Sequence, residues 1–136
     1  MVKIICGVKG FGKTKRMITL ANEEVKNVKG KAVYISNSDK HMLDLNHDIR
    51  YVNAETFGIN SYERFHGFIS GIFAANYDVE KVYIDKVYTF FNLEQTTFEE
   101  AVKTLEKASE QYEVDFVLTL REDPANLGTY LKEKCL

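Results

Sequence analysis

A phosphate group is held by backbone N–H groups, a nearby cation and, for a nucleotide, a hydroxyl beside a divalent metal. Residues 7–14 of the chain, GVKGFGKT, supply these at close spacing: Gly7, four free positions, then Gly12, Lys13 and Thr14. Gly7, Gly10 and Gly12 lack a Cβ, so they permit positive φ and let the backbone approach an anion closely. Successive N–H groups and the positive end of a helix dipole can then replace the water around the phosphates. Lys13 is expected to reach the β- and γ-phosphates as a point charge, and the Thr14 hydroxyl to ligate Mg²⁺. Val8, Lys9 and Phe11 fill the free positions and Lys15 follows. The expected phosphate-contacting segment is therefore Gly7, Val8, Lys9, Gly10, Phe11, Gly12, Lys13, Thr14 and Lys15. Lys9 reads as a solvated charge that adds to the local positive field, and Arg16 as a surface residue.

A second candidate is Asp85, which ends the apolar run VYID. An acid at the carboxyl end of a buried strand can face such a loop and hold the same metal ion, directly or through water. The two stretches are the Walker A and Walker B patterns, with Thr14 and Asp85 as the expected metal-binding pair. Alone, an apolar run ending in Asp is weak evidence. It gains weight from the complete loop upstream.

These residues need elements to position them. VKIIC (2–6) is short, apolar and rich in β-branched residues, as expected of a buried parallel strand feeding the loop. Met17, Ile18, Leu20, Ala21, Val25 and Val28 then recur at helical spacing, with Gly30 as a stop. KAVYIS (31–36) reads as a second strand, NSDKHMLDLNHD (37–48) as a polar excursion, and IRYVNA (49–54) as an edge strand. Asn60 and Glu63 have capping-box spacing ahead of a helix whose apolar face is Phe65, Phe68, Ile69, Ile72 and Phe73. Gly67 and Gly71 on that helix predict tight packing on the sheet. KVYIDK (81–86) is the next strand. Thr96 with Glu99, and Thr97 with Glu100, predict the start of a long helix running to about Tyr112. DFVLTL (115–120) is the fifth strand, and a last helix around 124–134 opens with Pro124. Alternating strands and helices predict an α/β fold of three layers, α/β/α, on a mainly parallel five-stranded sheet.

The chain has 136 residues, which suits a single domain over 1–136 with a full core. Its net charge of −2 and pI near 5.9 leave no basic excess for a dedicated nucleic-acid surface. No run is apolar and long enough to span a bilayer, and no signal peptide fits, since the first strand begins at residue 2. Cys6 and Cys135 have neither metal-ligand spacing nor an obvious disulfide framework, so a reducing cytoplasm is the expected setting. His41, His47 and His66 do not converge at metal-ligand spacing. The aromatics of VYTFF (87–91) read as cover for the core.

The motifs GVKGFGKT and VYID together make the chain resemble the P-loop NTPase superfamily, closest in general look to RecA-like and thymidine-kinase-like proteins. It is also similar to short bacterial P-loop proteins often labelled twitching-motility ATPases. The resemblance implies ATP and Mg²⁺ as cofactors, with Lys13 and Asp85 as catalytic residues. It also implies Thr119 as a polar sensor of the γ-phosphate and Arg121 as an arginine finger, acting within the chain or on a neighbour. Thr119 favours an order in which 115–120 lies between the P-loop strand and the Walker B strand. Many hydrolysing relatives carry Glu directly after the Walker B aspartate, whereas here Lys86 holds that place. A weak ATPase, a borrowed base such as Glu94 or Glu99, or dependence on a protein partner or homo-oligomer is therefore expected. Two further readings stay open. One is a nucleoside-type kinase with Asp39 or Asp44 as base, disfavoured by the scarcity of arginines. The other is a non-hydrolysing switch module that responds to a bound nucleoside triphosphate.

Overall fold

The computed structural model describes residues 1–86 and 94–136. Within them the chain forms five strands: β1 (Val2–Gly7), β2 (Lys31–Ser36), β3 (Ile49–Asn53), β4 (Val79–Ile84) and β5 (Asp115–Arg121). Four α-helices accompany them: α1 (Lys13–Glu24), α2 (Tyr62–Ala75), α3 (Gln95–Tyr112) and α4 (Thr129–Lys134). Every strand pairing is parallel, and the order across the sheet is β1-β5-β4-β2-β3. The expected parallel α/β sheet is present, β3 is at an edge, and β5 separates the loop strand from the strand that ends before Asp85.

Alternation along the strands divides the core in two. Val2 and Ile4, Val33 and Ile35, Val82 and Ile84, and Phe116, Leu118 and Leu120 face a cluster filled from α2, α3 and α4 by Phe65, Ile69, Phe73, Phe98, Val102 and Leu131. Ile5, Tyr34, Tyr83 and Val117 face the other side, where α1 contributes Met17, Ile18 and Ala21. Helices thus cover both faces, which fits three layers. On the α1 side the rings of Tyr51, Tyr34 and Tyr83 stand in a row across β3, β2 and β4, with centroid separations of 5.7 and 6.1 Å.

Several local expectations shift. The cap of α2 is Ser61, whose hydroxyl accepts from the Arg64 N–H at 3.2 Å, one residue beyond the predicted Asn60. Helix α3 begins at Gln95 with Glu94 as its cap, so neither threonine box marks its start. Gly30 matters for space rather than as a helix stop: a Cβ there would lie 1.9 Å from the Asp78 carbonyl oxygen. Gly67 and Gly71 do not pack on the sheet. Both are exposed, with nothing within 4 Å of a would-be Cβ, because the sheet-facing side of α2 is already filled by its phenylalanines and isoleucines. The predicted last helix splits into a 3-10 turn at 124–126, capped by Asp123, and then α4. The aromatic run 87–91 lies outside the described residues.

The cysteines also depart from expectation, since Cys6 and Cys135 form a disulfide with Cα atoms 6.0 Å apart. Residue 135 forms a parallel bridge with Ile4, and the Leu136 N–H donates to the Ile4 carbonyl at 2.8 Å. The segment after α4 thereby lies along the free edge of β1 and brings together residues 129 apart in sequence.

Candidate active site

The glycine loop leaves β1 at the sheet edge and turns directly into α1. Gly10 and Gly12 have φ of +92° and +71°, a backbone that side-chain-bearing residues rarely adopt. Gly12 is the N-cap of α1 and has no side chain to satisfy the first N–H groups of the helix, so these remain turned towards the loop. A Cβ on Gly7 would meet the Phe11 Cβ at 3.2 Å, so the start of the loop is also closely packed. Val8, Lys9, Gly10 and Phe11 are exposed, and Lys15 is exposed on the first turn of α1.

Lys13 folds back over the loop and donates from Nζ to the Val8 carbonyl at 3.0 Å. Its pKa is lowered, first by burial and then by the positive charge of Arg121, with Asp85 opposing in part. Arg121 ends β5, where its Cα is paired with that of Gly7. The candidate finger and the candidate phosphate lysine therefore sense each other across the base of the loop.

Asp85 follows β4 and is 1% exposed. Its carboxylate is surrounded by hydroxyl donors. Thr14 Oγ1 donates to Oδ2 at 2.9 Å, Thr119 Oγ1 to Oδ1 at 2.8 Å, and the Tyr34 hydroxyl reaches Oδ2 at 3.4 Å. The Asp85 N–H donates to Ile35 O at 2.9 Å, which fixes the backbone. A buried polar group without hydrogen-bond partners is costly, and these hydroxyl donors satisfy both carboxylate oxygens. Burial, followed by the negative charge of Asp85, pushes the Tyr34 hydroxyl far above its ordinary value, so it remains a neutral donor.

The turn after Asp85 is held from β5. Thr119 Oγ1 accepts the Lys86 N–H at 2.7 Å, and Lys86 adopts φ +65°. Thr119, expected as a phosphate sensor, thus uses its hydroxyl both to donate to Asp85 and to accept from Lys86. Thr14, Asp85 and Thr119 meet, with Lys13 and Arg121 beside them. The proposed stand-in bases have surface roles: Glu94 is the exposed cap of α3, and Glu99 lies 3.5 Å from Lys103. His41 pairs with Asp44 at 3.1 Å, and His47 with Asp48 at 3.4 Å. Among the described residues no three His, Cys, Asp or Glu side chains gather as a metal cluster.

Two residues of this neighbourhood were not foreseen, Tyr34 and Ser36. Both point to the α1 side at the end of β2, next to β4. Ser36 is 1% exposed, and its hydroxyl is buried near that of Tyr51 without hydrogen-bond geometry. The available signal was the polar end of an otherwise apolar strand, KAVYIS, in line with Asp85. It was usable only once β2 was known to adjoin β4. In comparisons with known proteins, no family model matches the chain and no curated protein is significantly similar to it.

Proposed function

We propose that the chain is a Mg²⁺-dependent ATP-binding protein of the P-loop type, and a weak or partner-activated ATPase. The observation that carries this reading is the 2.9 Å hydrogen bond between Thr14 and Asp85, which joins the end of the glycine loop to the buried acid. The strand order, with β5 between β1 and β4, supports the RecA-like class within that type.

The donor set fits the metal. A threonine hydroxyl and a carboxylate are hard oxygen ligands, and Mg²⁺ usually takes one or two such groups, with water and phosphate oxygens filling its octahedron. Thr14 and Asp85 would hold it, and the ion would supply charge to the β- and γ-phosphates. The loop N–H groups and the start of α1 bind and orient the phosphate chain. Lys13 leaves the Val8 carbonyl for a phosphate oxygen, and Arg121 adds positive charge at the same edge. Tyr34 and Thr119 keep Asp85 aimed. Lys86, in place of an adjacent acid, offers no base for an attacking water, which supports the reading of a weak ATPase.

Titration calorimetry with Mg-ATP tests the binding, and phosphate release across a wide range of protein concentration tests the turnover. Lys13→Ala is expected to weaken binding about tenfold or more, as for loss of a hydrogen bond to a charged group. Equal affinity in parent and variant would overturn the reading. Tight binding with flat, near-zero release would retain the site and discard the ATPase.

A further inference from the structure

Cys6 immediately precedes Gly7, so the only disulfide among the described residues is anchored one residue before the glycine loop. Its other end, Cys135, carries Leu136, which forms one side of an open groove of about 550 Å³. The rest of the wall includes Phe11, Gly12, Lys15, Arg16, Leu20 and, towards the far end of α1, the acid Glu23, and the groove begins at the loop. Phe11 is 75% exposed and Leu136 45%. Phe11 and Leu136 at the loop end, with the cations Lys15 and Arg16 beside them and Glu23 further along α1, suit a flat aromatic ring whose anionic chain lies towards the loop, which is the chemistry of a nucleotide base and its phosphates.

We propose that Cys6 and Cys135 form a thiol–disulfide switch that fixes one wall of the nucleotide site, so that the oxidised chain binds Mg-ATP more tightly than the reduced chain. This inference rests on the reading of the loop as a nucleotide site. Leu136 is held by two links, the covalent one through Cys135 and the strand-edge pairing with Ile4, in which its N–H donates to Ile4 O. Breaking the first leaves a hydrogen bond at a strand edge, which competes with water. Helix α4 stays docked in either state, because Leu131 is fully buried and Lys134 pairs with Glu106. The change is therefore confined to residues 135–136 and the strand end that feeds the loop.

The chemistry balances with a small-molecule disulfide such as oxidised glutathione as the oxidant. One cysteine thiolate attacks the small disulfide and expels a thiolate. The second cysteine thiolate then attacks the mixed disulfide and expels the other, leaving Cys6–Cys135 and two small thiols. Both side chains are half-buried rather than enclosed, which leaves them accessible to exchange.

The test uses the full chain, oxidised with oxidised glutathione or reduced with dithiothreitol, with thiols counted by alkylation and mass spectrometry. Mg-ATP affinity is measured by calorimetry, and exchange of the Leu136 amide by hydrogen–deuterium exchange. Reduction is expected to weaken binding about threefold to tenfold, the range for losing one pre-ordered wall, and to speed exchange at Leu136. Cys135→Ser should match the reduced chain under both conditions. Equal affinity in the two thiol states, or two free thiols after oxidant treatment, would overturn the switch. A formed bond and a responsive Leu136 amide without Mg-ATP binding in either state would instead overturn the nucleotide reading, and the effect on affinity with it.

Discussion

Thr119 Oγ1 donates to Asp85 Oδ1 at 2.8 Å and accepts the Lys86 N–H at 2.7 Å, so one hydroxyl orients both the acid and the turn that follows it. Removing it leaves a buried carboxylate short of a donor and a left-handed residue short of an acceptor. Thr119→Val is expected to destabilise the fold by about 1–3 kcal/mol, the cost of leaving buried polar groups unpaired, and Thr119→Ser to retain most of the stability. Urea unfolding measures the first effect. The Mg²⁺ dependence of ATP binding measures whether Asp85 stays aimed. A valine variant as stable as the parent would show that Thr119 is not holding the turn.

If the loop binds a nucleotide as proposed, Lys13 should impose a pH dependence on its affinity. Burial and Arg121 lower its pKa, and phosphate binding needs its charged form. As pH rises through that lowered value, the free protein loses the charge, whereas a bound phosphate favours retaining it. Affinity should therefore be level at neutral pH and fall on the alkaline side, beginning below the ordinary lysine range. Lys13→Arg, which stays charged, should bind less tightly at neutral pH but show no such fall. Parallel profiles for the two proteins would assign the titration elsewhere.

Two glycines should respond in opposite directions to the same substitution. Gly71→Ala adds a methyl group to open space on an exposed helix and should stabilise by about 0.5–1 kcal/mol. Gly30→Ala places a Cβ 1.9 Å from the Asp78 carbonyl oxygen and should destabilise by about 1–3 kcal/mol. Thermal unfolding of both variants checks the pair. Destabilisation by Gly71→Ala would mean that the exposed side of α2 is covered in solution.

Asp115 should contribute an acid-sensitive part of the stability. Burial pushes its pKa up, but the hydrogen bond and charge of Lys81 at 2.7 Å, with the N-terminal ammonium, outweigh this and lower it overall. Its stabilisation is therefore complete above the ordinary aspartate value and is lost as pH falls through the lower folded value. The pair is partly exposed, so Asp115→Asn should cost about 1 kcal/mol or less at neutral pH. The gap seen at neutral pH should close at an acid pH below the lowered folded value. Denaturant midpoints at the two pH values measure it.

The glycine loop, its strand and its helix were legible because each is a local pattern of a few residues with a strict spacing. Asp85 was legible for a related reason, as an acid ending an apolar strand. Tyr34 was not, because its contact with Asp85 depends on β2 adjoining β4, which no local spacing reveals. The second role of Thr119 was hidden in the same way, since its acceptor function involves the backbone of the turn that follows the neighbouring strand. Caps missed by one or two residues at Ser61 and Glu94, where Ser, Thr and Asn alternatives stand side by side. Gly67 and Gly71 misled because small residues suit close approach and open surface equally well. Cys6 and Cys135 were unreadable as a pair, since only the return of the chain along β1 brings them together.

The covalent link between Cys6 and Cys135 also changes how the molecule bears tension. Pulled by its two ends, the oxidised chain passes the load through the link, and the segment between the two cysteines carries none of it. With the cysteines 129 positions apart in sequence, roughly 450 Å of chain length is removed from the extension that a reduced molecule can deliver. In a stretched oxidised molecule only residues outside the link, such as Val2–Ile5 of β1, bear the load, while β2 to β5, the glycine loop and the buried acid stay assembled behind it.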